Sequence, residues 1–196
     1  MWTYSRTKAE AERLAFSQNG PDFAVIAVRP RMVWGRDDTT ALPQLLGAAK
    51  SGQLAWIDGG GYKTSSTHIA NLCAGIDLAL DKGRGGEIYF LTDGEPWAFR
   101  KLVSGMLAAN GVAIPNKTVP RWLLRAMAQV GDALADLTGG RMTLPITMQS
   151  YATSAVEVTL DITKARTELG YRPVITIEDG LAEMAEQNAQ SISTTS

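Results

Sequence analysis

A tyrosine and a lysine four residues apart, Tyr4 and Lys8, are the pair in this sequence best suited to chemistry. They lie in "MWTYSRTKAEAERL", whose Ala/Glu/Arg/Leu run has high helix propensity. At positions i and i+4 of a helix, both side chains rise from one face, one above the other. A free tyrosine has a pKa of about 10 and is a poor base at neutral pH. An ammonium group nearby favours the phenolate, which can then take a proton from a substrate alcohol. Spacing alone does not decide the matter. A Tyr-x-x-x-Lys arises by chance in roughly one chain in three of this length, so a plain surface pair stays open.

The elements that would position the pair must come from the rest of the chain. Its 196 residues, 45% apolar and 20% charged, describe a globular protein with room for one or two domains. A net charge of -1 leaves no footprint for nucleic acid or for an anionic membrane. With Cys73 the single cysteine, no intrachain disulfide framework exists, and a reducing cytoplasm is the expected compartment. One histidine and one cysteine exclude His/Cys zinc sites, and a Ser/His/Asp triad would have to use His68. No apolar run reaches the roughly 18 residues of a membrane span, and the charged start does not read as a signal peptide.

Periodicity predicts a helix over 3–18, stopped by "NGPD", and a buried parallel strand over 23–29, ended by Pro30. A helix near 41–51, a short strand over 54–57 and a flexible loop, "DGGGYKTSS", come next, and the wider stretch "WIDGGGYKTSST" reads equally as a substrate-facing loop or a plain connection. An amphipathic helix is predicted over 67–83, with Ile69, Leu72, Cys73, Ile76 and Leu80 as its buried stripe. Cys73 is therefore expected to be an inert, buried thiol. A second strand over 87–92 precedes helices over 96–111 and 121–138, a short strand over 157–160, a small helix over 161–170 and a last helix over 178–190. The 121–138 helix carries Leu123, Met127, Val130, Leu134 and Leu137 on one face, expected to pack over the substrate side. Alternating strands and helices indicate an α/β fold with parallel strands, yet only two runs read as central strands, too few for a doubly wound sheet.

Five segments in order, "YSRTKAEAE", "VRPRMVWG", "THIANLCAGIDLAL", "GGEIYFLTDGEP" and "KARTELGYRP", resemble the extended short-chain dehydrogenases. Within them the resemblance is to the 3β-hydroxysteroid dehydrogenase-like and NAD-dependent epimerase/dehydratase proteins, and it runs from Tyr4 to about Leu181. It implies the C-terminal part of a Rossmann-type doubly wound parallel sheet with a smaller mixed α/β substrate domain. Residues 1–92 would be the remnant of the dinucleotide-binding domain, 93–190 mainly substrate-binding, and 191–196 a frayed tail. The resemblance assigns Tyr4 as acid/base and Lys8 as its partner and ribose ligand, with NAD or NADP as cofactor. Pro30, Met32 and Val33 match the loop that borders the nicotinamide. Trp34 stands where the family usually carries tyrosine, which enlarges the ring and removes a hydroxyl.

The Gly-rich dinucleotide fingerprint occurs nowhere in the chain, nor does the family's catalytic serine or threonine ahead of the tyrosine. The sequence accordingly reads as the C-terminal part of a longer enzyme, with the isolated chain expected to be inactive. Trp34, Arg36 and His68 are candidate substrate-side residues, although His68 is expected to be mainly structural and Asn71 a local hydrogen-bonding residue. The expected partner is a small-molecule substrate, with no nucleic acid and no membrane span, and the 3–18 helix is a candidate homodimer face. Two classes of function remain. One is an oxidoreductase for a secondary alcohol or ketone, hydroxysteroid-like or otherwise apolar given Trp97, Phe99, Trp122, Met127 and Met142; a nucleotide-sugar epimerase or dehydratase would use Arg36, Lys63, Arg121 and Arg141. The other is a non-catalytic interaction module.

Overall fold

In the computed structural model, which describes residues 3–137 and 156–195, short strands alternate with helices. The helices are α1 (Thr3–Phe16), α2 (Ala41–Lys50), α3 (Ile69–Lys82), α4 (Phe99–Ala109), α5 (Arg121–Leu137) and α6 (Ile177–Thr195). The strands are β1 (Ala27–Pro30), β2 (Val33–Trp34), β3 (Trp56–Ile57), β4 (Lys63–Thr64), β5 (Thr67–His68), β6 (Ile88–Leu91), β7 (Trp97–Ala98) and β8 (Thr118–Val119). β1 lies parallel to β6, with Ala27 opposite Ile88 and Pro30 opposite Leu91. β2 is parallel to β5 and β3 to β8, whereas β4 and β7 run antiparallel. Parallel partners need a crossover, and α2 and α3 lie in the one between β1 and β6. The chain thus has the α/β class that its alternation implies. Among the described residues no helix is long and apolar enough to cross a membrane.

Only the second half of the 23–29 run is laddered. Before Ala27 the chain is held differently: Asn19 Oδ1 accepts the Val25 N–H at 2.9 Å, and Gly20 bridges Phe23. Pro30, which has no N–H to donate, closes the strand.

The inward face of α3 differs from the expected stripe. Asn71, Gly75 and Ala79 are buried, whereas Cys73 is exposed and Leu80 is 78% exposed. A Cβ on Gly75 would lie 2.4 Å from Leu91 Cδ1, so the helix seats on β6 through a glycine. Close backbone approach and the bonds of Asn71 choose the face, rather than the most apolar arc. The expectation of a buried thiol is corrected accordingly.

The end of the segment read as a flexible loop, and the two residues after it, are packed, although Asp58, Gly61 and Lys63 are exposed. Thr64, Ser65, Ser66, Thr67 and His68 are all buried, and Ser65 N–H donates to Val158 O at 3.1 Å while Val158 N–H returns to Lys63 O at 3.2 Å. Residues 157–160 make that single bridge instead of a ladder strand. The small helix expected at 161–170 is largely a π-helical turn, Ala165–Leu169, ended by Gly170 in the left-handed region at φ 72°. On α5 the described part of the expected stripe faces outward: Leu123, Met127 and Val130 are 38%, 43% and 55% exposed, and Ala128 is buried instead. The side chains of Leu134 and Leu137, together with Arg141 and Met142, lie outside the described residues.

Three apolar clusters hold the elements together. Tyr89, Leu91, Leu169 and Tyr171 pack under α3; Trp34, Leu102, Met106 and Met184 join α4 to α6; and Trp56, Val103 and Leu107 close the far side of α4.

Candidate active site

Tyr4 and Lys8 both lie on α1, one helical turn apart; the side chain of Tyr4 falls outside the described residues, and Lys8 is exposed. The helix is tied to β1 by a bidentate pair. Arg29 Nε donates to Glu12 Oε2 at 2.9 Å and Nη2 reaches the other oxygen, and that guanidinium holds the Glu12 carboxyl below its usual range. Glu12 is one turn beyond Lys8 on the same face, so the pair aims Lys8 at the end of β1. There a cavity of about 910 Å3 is lined by Lys8, Glu12, Arg29, Pro30, Arg31 and Met32. Lys8, Pro30 and Met32 are thus brought together, while Val33, the next residue, is not part of that lining.

The chain after β1 is firmly built. Arg31 N–H donates to Thr67 Oγ1 at 3.1 Å, and the Thr67 hydroxyl lies 3.0 Å from Arg31 O and 2.8 Å from Leu91 O. Thr67 N–H donates to Met32 O at 3.3 Å, and Met32 takes a φ of 45°, a left-handed conformation costly for a residue with a side chain. Beyond this bend is a second cavity of about 520 Å3, walled by Met32, Leu45, Ala48, Tyr62 and Phe99. The rings of Tyr62 and Phe99 stack with centroids 5.3 Å apart. Burial pushes the Tyr62 phenol up to about 12, against the opposing charge of Arg121, so it is a neutral donor at physiological pH. Arg31 and Met32 line both cavities and join them.

Other polar residues that looked reactive serve the architecture. The Asp93 carboxylate accepts from Trp34 Nε1 (2.9 Å), Ser66 Oγ (2.6 Å), His68 N–H (2.5 Å) and Asn71 Nδ2 (2.8 Å). The indole N–H of Trp34 therefore makes a hydrogen bond even though the family's hydroxyl is missing. His68, 1% exposed, caps α3 by accepting the Ala70 N–H at 3.3 Å and meets Trp34 edge-on at 4.8 Å. A Cβ on Gly35 would come within 2.7 Å of His68 Nε2, which explains a glycine at φ 122° there. Asn71 is not local in its bonding: its Oδ1 accepts the N–H groups of Val174 and Ile175, about a hundred residues along the chain. Trp34 and His68 line neither cavity, nor does Arg36, which is exposed. Among the described residues no cluster of potential metal ligands occurs.

Sequence reasoning missed Arg31 and Asp93, and reached Tyr62 and Thr67 only as members of "WIDGGGYKTSST", without singling either out. An arginine set between Pro30 and Met32 at the end of an apolar strand was the available signal for the first. The others stand in polar runs that carry no periodicity.

The chain matches known proteins over most of its length. It is 42% identical over 178 residues to a 4-hydroxy-2-methyl-3-oxo-4-farnesyl-3,4-dihydroquinoline-1-oxide ketoreductase of Stigmatella aurantiaca, covering 91% of this chain and 53% of that protein. It is 29% identical to a 2-alkyl-3-oxoalkanoate reductase of Stenotrophomonas maltophilia, covering 95% of this chain and 58% of that protein. In fold it is similar to a nucleoside-diphosphate-sugar epimerase from Pseudomonas aeruginosa, with a TM-score of 0.70 at 22% identity, covering 97% of this chain and 56% of that one. The chain therefore spans somewhat more than half the length of these proteins. Residues 1–121, from α1 to the start of α5, match the family model, and the chain belongs to the 3-beta hydroxysteroid dehydrogenase/isomerase family.

Proposed function

We propose that this chain carries the catalytic helix and the substrate cavity of an NAD(P)-dependent oxidoreductase acting on a secondary alcohol or ketone in an apolar substrate. The observation that carries this reading is the convergence of Lys8, Pro30 and Met32 on one cavity, with Tyr4 one turn before Lys8 on the same helix. A dinucleotide bound there would accept or supply hydride. Tyr4 exchanges a proton with the substrate oxygen, and Lys8 stabilises the phenolate and donates to ribose hydroxyls. Pro30 and Met32, which line that cavity, would border the nicotinamide, whereas Val33 lies outside the lining. A cation beside an apolar wall of Pro30, Met32 and Phe90 suits a ribose joined to a flat ring.

The largely apolar cavity across the bend supports an apolar substrate, of which a 3β-hydroxysteroid is one form. The names of the two relatives, a ketoreductase and an oxoalkanoate reductase, favour carbonyl reduction. A nucleotide-sugar substrate has less support. Arg36 and Lys63 are exposed, Arg121 pairs with Asp58 at 3.4 Å, and none of the three lines the apolar cavity.

The test is Tyr4→Phe in the enzyme formed by this chain and a Gly-rich nucleotide-binding half. Losing general acid–base catalysis should lower kcat about 10²–10⁴-fold with cofactor affinity nearly unchanged. Turnover within a few-fold of the parent would overturn the assignment.

A further inference from the structure

Among the described residues, the cavity walled by Met32, Leu45, Ala48, Tyr62 and Phe99 has one charged residue in its lining, Arg31. That side chain is half-buried, and burial pushes the guanidinium's pKa down. Its backbone is clamped at both N–H and C=O by the buried Thr67 hydroxyl, and its Nε contacts Thr64 Oγ1 at 3.4 Å. The position of the cation is therefore built in rather than sampled. Arg31 also lines the Lys8 cavity, so a molecule reaching from the apolar chamber toward Tyr4 must pass it.

We infer that Arg31 is a substrate-recognition residue, binding a carboxylate set next to the reacting carbon of an apolar substrate, as in a 3-oxo or 3-hydroxy acid. This rests on the reading of the chain as an alcohol/ketone oxidoreductase. A planar guanidinium matches a carboxylate in shape as well as charge, and little water competes in a half-buried site. The apolar tail fills the chamber, where the neutral Tyr62 hydroxyl and Gln44 are further polar contacts. Anchoring the acid at the bend leaves the neighbouring carbon on the Lys8 side.

Calorimetry on this chain with 3-hydroxydecanoate and its methyl ester at neutral pH tests the inference without cofactor or turnover. The acid should bind about 10–100-fold more tightly than the ester, the range of a hydrogen bond to a charged group. Arg31→Gln should bring the acid to the level of the ester and leave the ester unchanged, and Arg31→Lys should keep part of the preference. Ala48→Phe, which fills the chamber, should weaken both ligands alike. Equal binding of acid and ester, or an equal loss of both in a folded Arg31→Gln variant, overturns the role of Arg31 and leaves the apolar chamber standing. If neither ligand binds, both the role of Arg31 and the chamber as substrate site fall, while the Tyr4 assignment still rests on its own kinetic test.

Discussion

Helix α1, proposed to carry the catalytic pair, and the polar hub around Asp93 are built on opposite principles. On α1 every described side chain up to Phe16 is exposed except Glu12 and Phe16 itself, and one ion pair ties the helix to β1. At the hub, one carboxylate collects four donors from β2, the segment 66–68 and α3. The residues assigned to chemistry thus sit on the lightly held element. Ser66 and Asn71, with equally reactive side chains, are engaged by structure, and His68 is buried with its Nδ1 capping α3 while its Nε2 has no hydrogen-bond partner among the described residues.

The sharpest way to break this contrast is Asp93→Ala. It would strand the Trp34 indole N–H, the Ser66 hydroxyl, the His68 N–H and one Asn71 amide proton, each costing about 1–3 kcal/mol where water cannot replace the partner. The sum is comparable with the roughly 5–15 kcal/mol of total stability expected for a domain, so the variant should be unfolded or nearly so. Asp93→Asn, which keeps one acceptor oxygen, should be milder. Lys8→Met on α1 should move stability by less than about 0.5 kcal/mol. A urea midpoint for Asp93→Ala close to that of the parent would show that the hub is dispensable.

Next in size is the seat of α3 on β6. With a new Cβ 2.4 Å from Leu91 Cδ1, Gly75→Ala should cost about 1–3 kcal/mol by overpacking, reduced by alanine's gain of about 1 kcal/mol in helix propensity. Cys73→Ser, on the exposed side, should be neutral within about 0.5 kcal/mol. Thermal melts of the two variants check the face directly. A costly Cys73→Ser beside a harmless Gly75→Ala would restore the apolar stripe as the buried face.

These two helix faces also show what the sequence could and could not convey. The alternation of elements, the parallel pairing of β1 with β6 and the close of β1 at Pro30 were legible, because apolar runs and proline act locally. The gathering of Lys8, Pro30 and Met32 followed from order along the chain and from family resemblance. The rotation of α3 was not legible, since a glycine's close contact depends on a strand that arrives later in the chain. The same holds for Asp93 and Thr67. Their turn-like and polar surroundings, "LTDGEP" and "KTSSTH", hide side chains that bond across 22 to 59 residues. Arg31 was legible as a charge but not as the divider of two cavities.

The smallest effect expected concerns the ion pair that docks α1. Glu12 is held below the usual carboxylate range first by its hydrogen bond from Arg29 and then by the charge of that guanidinium, with desolvation opposing. A carboxyl whose pKa is depressed on folding contributes stability above its unfolded pKa and loses it as pH falls through the folded value. With side chains 31% and 42% exposed, water screens the pair, and about 0.2–1 kcal/mol is the realistic contribution. Glu12→Gln should therefore lower stability by that amount at neutral pH, and the gap should close as pH falls through the lowered folded-state value and the parent's own carboxyl is protonated. Added salt should shrink it as well. Amide exchange should rise along α1 while the hub stays protected, because only the helix loses its tether. If the gap between parent and variant stayed constant down to low pH, packing of the Glu12 stem would be docking the helix. The aim of Lys8 at the cavity would then not depend on charge.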